Sequence, residues 1–426
     1  HLAIRPDGLR ERRIGRPPTT FIPDATPLVP AEGTGFDALF AGHQGILGPD
    51  FGTAADAYEV LRVWAYSHIL RDYLLFRPIA LFTGPPGSSK STTAEGIARL
   101  WYGNDCSAAR ATRVPDSQRD FMSVVRAPFV LLDNVESPPV WLADSLCLAS
   151  DRNAKLSSRQ LYTDAETYEV MADTFFAVTS ISAKGFARGD LLSRCLVFRL
   201  NGITNYIGHK RWFDEVQKNR FGFWKRATEV AAAVHKRCVA EPTLPGVPQL
   251  KHDRLQDFLR LGAVIAFELG GPQAAWRFVR GMAAMSLSRF MLATADADLE
   301  ALTQVAGNMP DQWFTSSELL QACGELVTGG VGFVSTLRSA EAFGRWLAQL
   351  QVKAPGVVQV ERRLLDGRTR WRIRLPDHLS GAREILLSRG PTNGTNGVDY
   401  AMVHAHVPSN GTNGHLLEPV WDDAGN

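Results

Sequence analysis

The sequence predicts an α/β fold: a parallel sheet with helices on both faces and a phosphate-gripping turn directly after one of its strands, followed by a helical region and a smaller helix-and-hairpin unit. Three observations predict it. Short apolar runs at Pro78–Thr83, Phe129–Leu132, Thr174–Thr179 and Leu196–Leu200 alternate with helical patterns, which is how a doubly covered parallel sheet reads. A glycine-rich turn, Gly84-Pro-Pro-Gly-Ser-Ser-Lys-Ser91, follows the first run directly and opens a helix over Lys90–Tyr102. The 426 residues are 45% hydrophobic and 21% charged, a folded composition that excludes a disordered or collagen-like chain.

Taken in order, residues 1–50 read as an extended strap. Arg5, Arg10, Arg12, Arg13 and Arg16 make a basic arm, and prolines follow at 17, 18, 23, 27 and 30. Tyr58, Leu61, Trp64, Ala65 and His68 recur at helical spacing, so 54–76 is an amphipathic helix. Helices also fit Val140–Ala149 and Asp190–Arg194. Arg159–Tyr162 and Thr167–Met171 flank the turn cluster Thr163-Asp-Ala-Glu166, which predicts a hairpin over 157–172. The domain boundaries expected are a strap at 1–50, the P-loop domain at 51–205, a helical lid at 206–305, a further domain at 306–378 and a disordered tail at 379–426. In that tail Thr392-Asn-Gly-Thr-Asn-Gly397 returns as Ser409-Asn-Gly-Thr-Asn-Gly414, a composition that cannot build a core; His404 and His406 read there as a solvated pair.

Lys+Arg 46 against Asp+Glu 44 gives a net +2, so overall charge names no partner. The five scattered cysteines have no zinc or disulfide spacing, and no apolar run is long enough to span a bilayer, which together suggest reduced thiols in a cytoplasmic protein without a membrane partner. The chain begins at His1 rather than Met, so an upstream segment is expected.

Four elements carry the chemistry. In Gly84, Pro85, Pro86, Gly87, Ser88, Ser89, Lys90, Ser91 and Thr92, glycines let backbone N–H groups curl round phosphates while the helix N-terminus adds its dipole. Lys90 would reach the β- and γ-phosphates and Ser91 would bind Mg²⁺, which makes ATP with Mg²⁺ the expected ligand. Ser89 stands where the motif usually has glycine. Second, Pro128-Phe-Val-Leu-Leu-Asp133-Asn134 is an apolar strand ending in an acid that would hold Mg²⁺, a Walker B strand. The neighbouring carboxylate that polarises water is absent at Asn134: either Asn134 positions the water, or Glu136 is the base, or hydrolysis is slow. Third, Thr179 ends the strand expected to lie near both motifs and would sense the γ-phosphate. Fourth, Arg188-Gly-Asp-Leu-Leu-Ser-Arg194 offers a finger to a neighbour's nucleotide, Arg194 first and Arg188 second, which requires a ring of subunits.

Together these residues resemble the AAA+ ATPases, and Leu191-Leu-Ser-Arg-Cys195 looks like a clamp-loader finger motif. A closer resemblance, over roughly residues 20–235, is to ATP-binding proteins of phages, prophages and integrated elements related to replicative helicases. It rests on the proline-rich strap, Gly84–Thr92, Leu132-Asp-Asn-Val135, Trp141–Cys147, Arg159–Asp164 and Arg188–Arg194. The resemblance implies a homo-oligomeric ring, a hexamer, acting in mobile-element DNA replication with primase or other replication proteins as partners. It also implies that the hairpin at 157–172 meets DNA, with Lys155 and Arg159 as the nearby bases; its turn, Asp164 to Glu166, is acidic instead of basic.

The last folded unit begins at Thr315-Ser-Ser-Glu318, a capping box. A helix over Ser339–Leu350 follows, then a hairpin over Val357–Leu375 round Asp366-Gly367. Trp371, Ile373 and Leu375 alternate with Arg368, Arg370, Arg372 and Arg374, one face apolar and the other a row of guanidiniums. This looks like a winged helix whose wing meets DNA, single- or double-stranded. The whole is read as an AAA+ P-loop motor acting on DNA, helicase-like. The alternatives are a nucleotide-gated loader that does not unwind, and a small-molecule P-loop kinase, which the Arg194 motif and the hairpin disfavour.

Overall fold

The computed structural model describes residues 2–5, 8–11, 35–104, 111–136, 138–152, 154–159, 167–172, 174–203, 207–240, 253–293, 297–309, 311–326, 339–353 and 358–388. Strands β1 (Leu2–Arg5) and β2 (Gly8–Glu11) pair antiparallel. Arg12, Arg13, Arg16 and the prolines up to Pro30 lie outside the described residues.

The expectation of an extended strap over 1–50 is corrected at its end. Helix α1 (Phe36–Phe40) and a 3₁₀ turn over Ala41–Gly45 fold there. Phe36 and Phe40, four residues apart, stack at 4.6 Å and are fully buried. Two aromatics on one helical face find a core, and that burial outweighs the weak local pattern. Helix α2 (Ala54–Ser67) opens on a reciprocal capping box, Thr53 Oγ1 accepting from Asp56 N at 3.2 Å and Asp56 Oδ2 accepting from Thr53 N at 3.0 Å. It ends sooner than the spacing suggested, passing into a 3₁₀ turn at His68–Tyr73.

The sheet comes next. Its parts are β3 (Ile79–Thr83), α3 (Lys90–Tyr102), β4 (Ala111–Thr112), α4 (Gln118–Val124), β5 (Phe129–Leu132), α5 (Val140–Ala149), the hairpin β6 (Ala154–Arg159) and β7 (Thr167–Ala172), then β8 (Phe175–Ser180), α6 (Gly189–Leu192) and β9 (Cys195–Arg199). Five strands lie parallel in the order β4-β5-β8-β3-β9. Both faces are covered: Phe175 stacks on His68 at 4.0 Å, while Phe176, facing the other way, stacks on Phe121 of α4 at 5.9 Å. The order also sets the site. Strand β8 separates β3 from β5, so the carboxyl ends of all three open side by side. The turn of the β6–β7 hairpin, residues 160–166, lies outside the described residues.

Helices α7 (His209–Ala240), α8 (Gln256–Ala293) and α9 (Ala297–Asn308) fill the stretch expected to be helical. They share the sheet's core. A Cβ at Gly281 of α8 would lie 2.5 Å from Val60 of α2, so the two helices touch backbone to side chain. On α7, Trp224 meets Trp101 edge-on at 4.8 Å. Helix α10 (Ser316–Leu326) starts at the expected capping box, Thr315 N donating to Glu318 Oε2 at 2.6 Å. Helix α11 (Ala340–Lys353) and strands β10 (Gln359–Leu365) and β11 (Arg368–Arg374) follow. Asp366 and Gly367 both take positive φ, as a tight two-residue turn requires.

The disordered tail expected from 379 is corrected as well. Helix α12 (Asp377–Leu387) packs on α8, burying Leu379, Ala382, Ile385 and Leu386. Its Arg383 donates to Ala306 O at 2.9 Å and Met309 O at 2.6 Å, satisfying carbonyls at the end of α9. The Asn/Gly repeats, His404 and His406 lie outside the described residues. No helix among the described residues is long and apolar enough to cross a membrane.

Candidate functional site

The turn between β3 and α3 has the conformation its glycines predict. Gly84 takes a φ of 148°, and a Cβ there would lie 2.1 Å from Leu200 O, so only glycine fits. Ser89 sits in the left-handed region at φ 62°, where glycine is the unstrained choice. Pro85, Pro86 and Gly87 are exposed, Ser88 is buried, and Ser89, Lys90, Ser91 and Thr92 are half-buried along the start of α3. Lys90 Nζ donates to Gly84 O at 2.8 Å and Pro85 O at 2.9 Å, which holds the ammonium within the turn. Partial burial lowers its pKa, opposed by the charges of Glu136 and Asp133.

The acid of β5 joins the turn to β8. Ser91 Oγ donates to Asp133 Oδ1 at 2.5 Å, and Thr179 Oγ1 donates to the same oxygen at 2.6 Å. Thr179 is 1% exposed and also accepts from Asn134 N at 2.8 Å. Its hydroxyl therefore braces the acid and the backbone beyond it. Asn134 is exposed, with φ 57°. Glu136 was the less obvious residue. Its Oε1 accepts from Ile181 N at 2.8 Å and its Oε2 from the Ser180 hydroxyl at 3.2 Å, fixing it at the end of β8, and it leads the charges acting on Lys90. Sequence spacing placed Glu136 two residues past Asn134; only the strand order shows that β8 draws it in.

The two arginines near α6 differ. Arg194 is 7% exposed; its Nη1 bonds Ser150 Oγ at 3.0 Å and pairs with Asp151, and its guanidinium lies over Phe76. Arg188 is 41% exposed and pairs with Asp144 and Asp190, each at 2.8 Å. The sequence ranked Arg194 first because it abuts β9, but adjacency in sequence does not reveal a partner 43 positions away.

The arginine row of β11 divides. Trp371, Ile373 and Leu375 are buried as the alternation required. Arg372 bonds Asp311 at 2.5 and 2.6 Å, which raises its own pKa and holds the Asp311 carboxyl below the usual range. Arg374 pairs with Asp311 at 3.3 Å and Glu361 at 3.2 Å. Among the described residues Arg370 has Glu318 alone as an acidic partner, at 3.9 Å, and Arg368 at the turn is exposed. Lys155 on β6 is exposed and sits 3.8 Å from Glu169; the Arg159 side chain lies outside the described residues. No cluster of three His, Cys, Asp or Glu that could hold a metal occurs among the described residues.

The family described as the actinomycete integrative conjugative element replication protein, AICE_RepA, matches residues 59–217, which span the turn, Asp133, Thr179 and both arginines. No curated protein matches the chain. Among solved structures, the apo NrS-1 C-terminal region is 13% identical over 83% of this chain and 79% of that one, with a TM-score of 0.34. Its A form is also 13% identical, over 82% and 78%, at 0.32. The active helicase Cch of SCCmec type IV is 11% identical over 76% of this chain and 68% of that one, at 0.37.

Proposed function

We propose that the chain is an ATP-hydrolysing motor of AAA+ type that works on DNA in the replication of an integrated mobile element. One observation carries the proposal: Ser91, Asp133 and Thr179, from three separate elements, converge on a single carboxylate oxygen beside Lys90. The match of residues 59–217 to a replication family supports the biological setting.

The residues fit a triphosphate with magnesium. A hydroxyl and a carboxylate 2.5 Å apart are the hard oxygen donors that this ion takes. Bound there with the nucleotide, the ion supplies neutralisation of phosphate charge. Lys90 exchanges its loop carbonyls for phosphate oxygens, and the N–H groups of the turn and the dipole of α3 hold the rest. Thr179 keeps Asp133 and the Asn134 backbone in register. Glu136 is the carboxylate that activates water, with Asn134 orienting it. Arg188, already exposed, reaches a neighbouring subunit's nucleotide in a hexameric ring without unmaking buried contacts; Arg194 anchors the end of α6 to Asp151.

A second reading, a loader that switches rather than unwinds, is favoured by one observation. Asn134 occupies the place of the usual catalytic carboxylate. Strand separation of a forked duplex discriminates: a motor opens it with ATP, and a loader binds it, hydrolyses slowly and leaves it paired. Lys90→Ala should abolish ATP binding under either reading.

A further inference from the structure

The hairpin β10–β11 is built differently at its two ends. At its base, Arg372 lies opposite Glu361, and Arg374 reaches Glu361 and Asp311. Toward its turn, Arg363 lies directly opposite Arg370, and Leu365 opposite Arg368. Like charges facing one another across strands destabilise a ladder. Among the described residues no carboxylate lies within ion-pair distance of Arg363 or Arg368, and Glu318 is 3.9 Å from Arg370. Arg362 adds a fourth guanidinium on the other face, over Trp371 at 5.7 Å. Among the described residues, Glu318 is thus the one carboxylate within ion-pair distance of these four guanidiniums. Leu364, 72% exposed, shares the face of Arg362, opposite that of Arg363, Arg368 and Arg370, two residues before the turn. No described part of the chain covers this leucine.

We infer that this hairpin end is a binding site for the junction between paired and unpaired DNA, entered tip first, with Arg363, Arg368 and Arg370 on one face taking backbone phosphates and Leu364 on the other resting on the last base pair. The inference deepens the proposed action on DNA and rests on that reading. The charge is complementary to a phosphate backbone, and a two-stranded ribbon fits a duplex groove. Phosphates also relieve the Arg363–Arg370 repulsion, toward which the described residues offer only the distant Glu318 carboxylate at 3.9 Å from Arg370. Apolar side chains inserted at a base step are a general way to hold opened stacking. An acidic protein surface would satisfy the arginines equally but gives Leu364 no unstacked base to cover.

The test uses the full chain with three DNA probes of one sequence: a forked duplex, a blunt duplex and a single strand, each titrated over a range of salt. The wild type should bind the fork most tightly. Arg363→Ala/Arg368→Ala should flatten the slope of log affinity against log salt by about 1.8, near 0.9 per phosphate contact, on fork and duplex alike. Leu364→Ser should keep the slope and lose the fork preference, about tenfold, while Leu364→Phe keeps it. An unchanged slope in the double variant, equal loss on fork and blunt duplex in Leu364→Ser, or selective loss of binding to an acidic peptide overturns the inference. ATP hydrolysis without DNA should be unaltered in all of these variants. Failure of the motor reading therefore appears separately, as absent ATP binding in the wild type.

Discussion

At the scale of single residues, the turn after β3 stores strain at Ser89. A left-handed conformation costs an L-residue roughly 1–2 kcal/mol, part of which glycine returns as chain entropy. Ser89→Gly should therefore stabilise the protein by about 0.5–1 kcal/mol in denaturant unfolding and leave Lys90 able to bind nucleotide. Two histidines set the acid limit. His43, bonded to Thr93 Oγ1 at 2.9 Å and packed on Phe40, has its pKa lowered to about 4 by burial. His68 is buried beside Phe175 and lowered for the same reason. The unfolded chain takes up these protons near pH 6.5 and the folded chain only near pH 4 or below, so between those values the unfolded state binds more protons. The histidines' share of the stability is complete above pH 6.5 and is lost as pH drops toward 4, by up to about 3 kcal/mol for His43. Glu59, raised by burial to about 7, acts in the opposite sense across the same window. Urea unfolding of the wild type and His43→Gln across that window should differ by the His43 share, the wild type losing more stability than the variant as pH falls.

At the scale of elements, α12 is the clearest test of packing. Ile385 is 6% exposed in a helix lying on α8. Ile385→Ala should cost about 2–4 kcal/mol, measured by denaturant unfolding. The same helix shows where the sequence stopped being legible. Helix α3, strand β5 and helix α5 were readable to the residue, because a glycine turn, a proline or an acid marks each end and apolar spacing fills the middle. Helix α12 was lost because it spans only three turns behind Pro376 and its partner, α8, is a hundred positions away. Helix α1 was lost for a similar reason: Phe36 and Phe40 matter only once Phe223 and Tyr66 are beside them. The convergence of Ser91 and Thr179 on Asp133 was legible, because the turn after β3 and the ends of β5 and β8 lie side by side in a parallel sheet. The burial of Arg194, the bracing of Glu136 and the neutralisation of Arg372 and Arg374 were not, since each depends on a partner from a distant element.

At the scale of the whole molecule, one residue joins the glycine-rich turn after β3 to the basic hairpin. Asp50 pairs with Arg199 at the end of β9, and β9 runs beside β3 up to Gly84. The Asp50 backbone carbonyl accepts from Gln304 at 3.2 Å and Asn308 at 3.5 Å on α9. Three residues beyond Asn308, Asp311 holds Arg372 and Arg374 of β11. Burial raises the Asp50 pKa, against the opposing charge of Arg199. Contacts of this kind transmit only if both ends bias them, which a coupling measurement decides. Asp50→Asn should leave ATP binding intact and reduce DNA stimulation of ATPase about fivefold or more, the usual size of such couplings.

The most direct measurement is the ATPase rate per molecule as protein concentration rises, with wild type and Lys90→Ala compared side by side. If a triphosphate sits in the turn after β3 and an adjacent subunit completes its site, the wild-type rate per molecule climbs and then levels as the ring assembles, and Lys90→Ala neither binds nor hydrolyses ATP. A flat wild-type rate, or Lys90→Ala binding ATP as tightly as the wild type, would contradict the account.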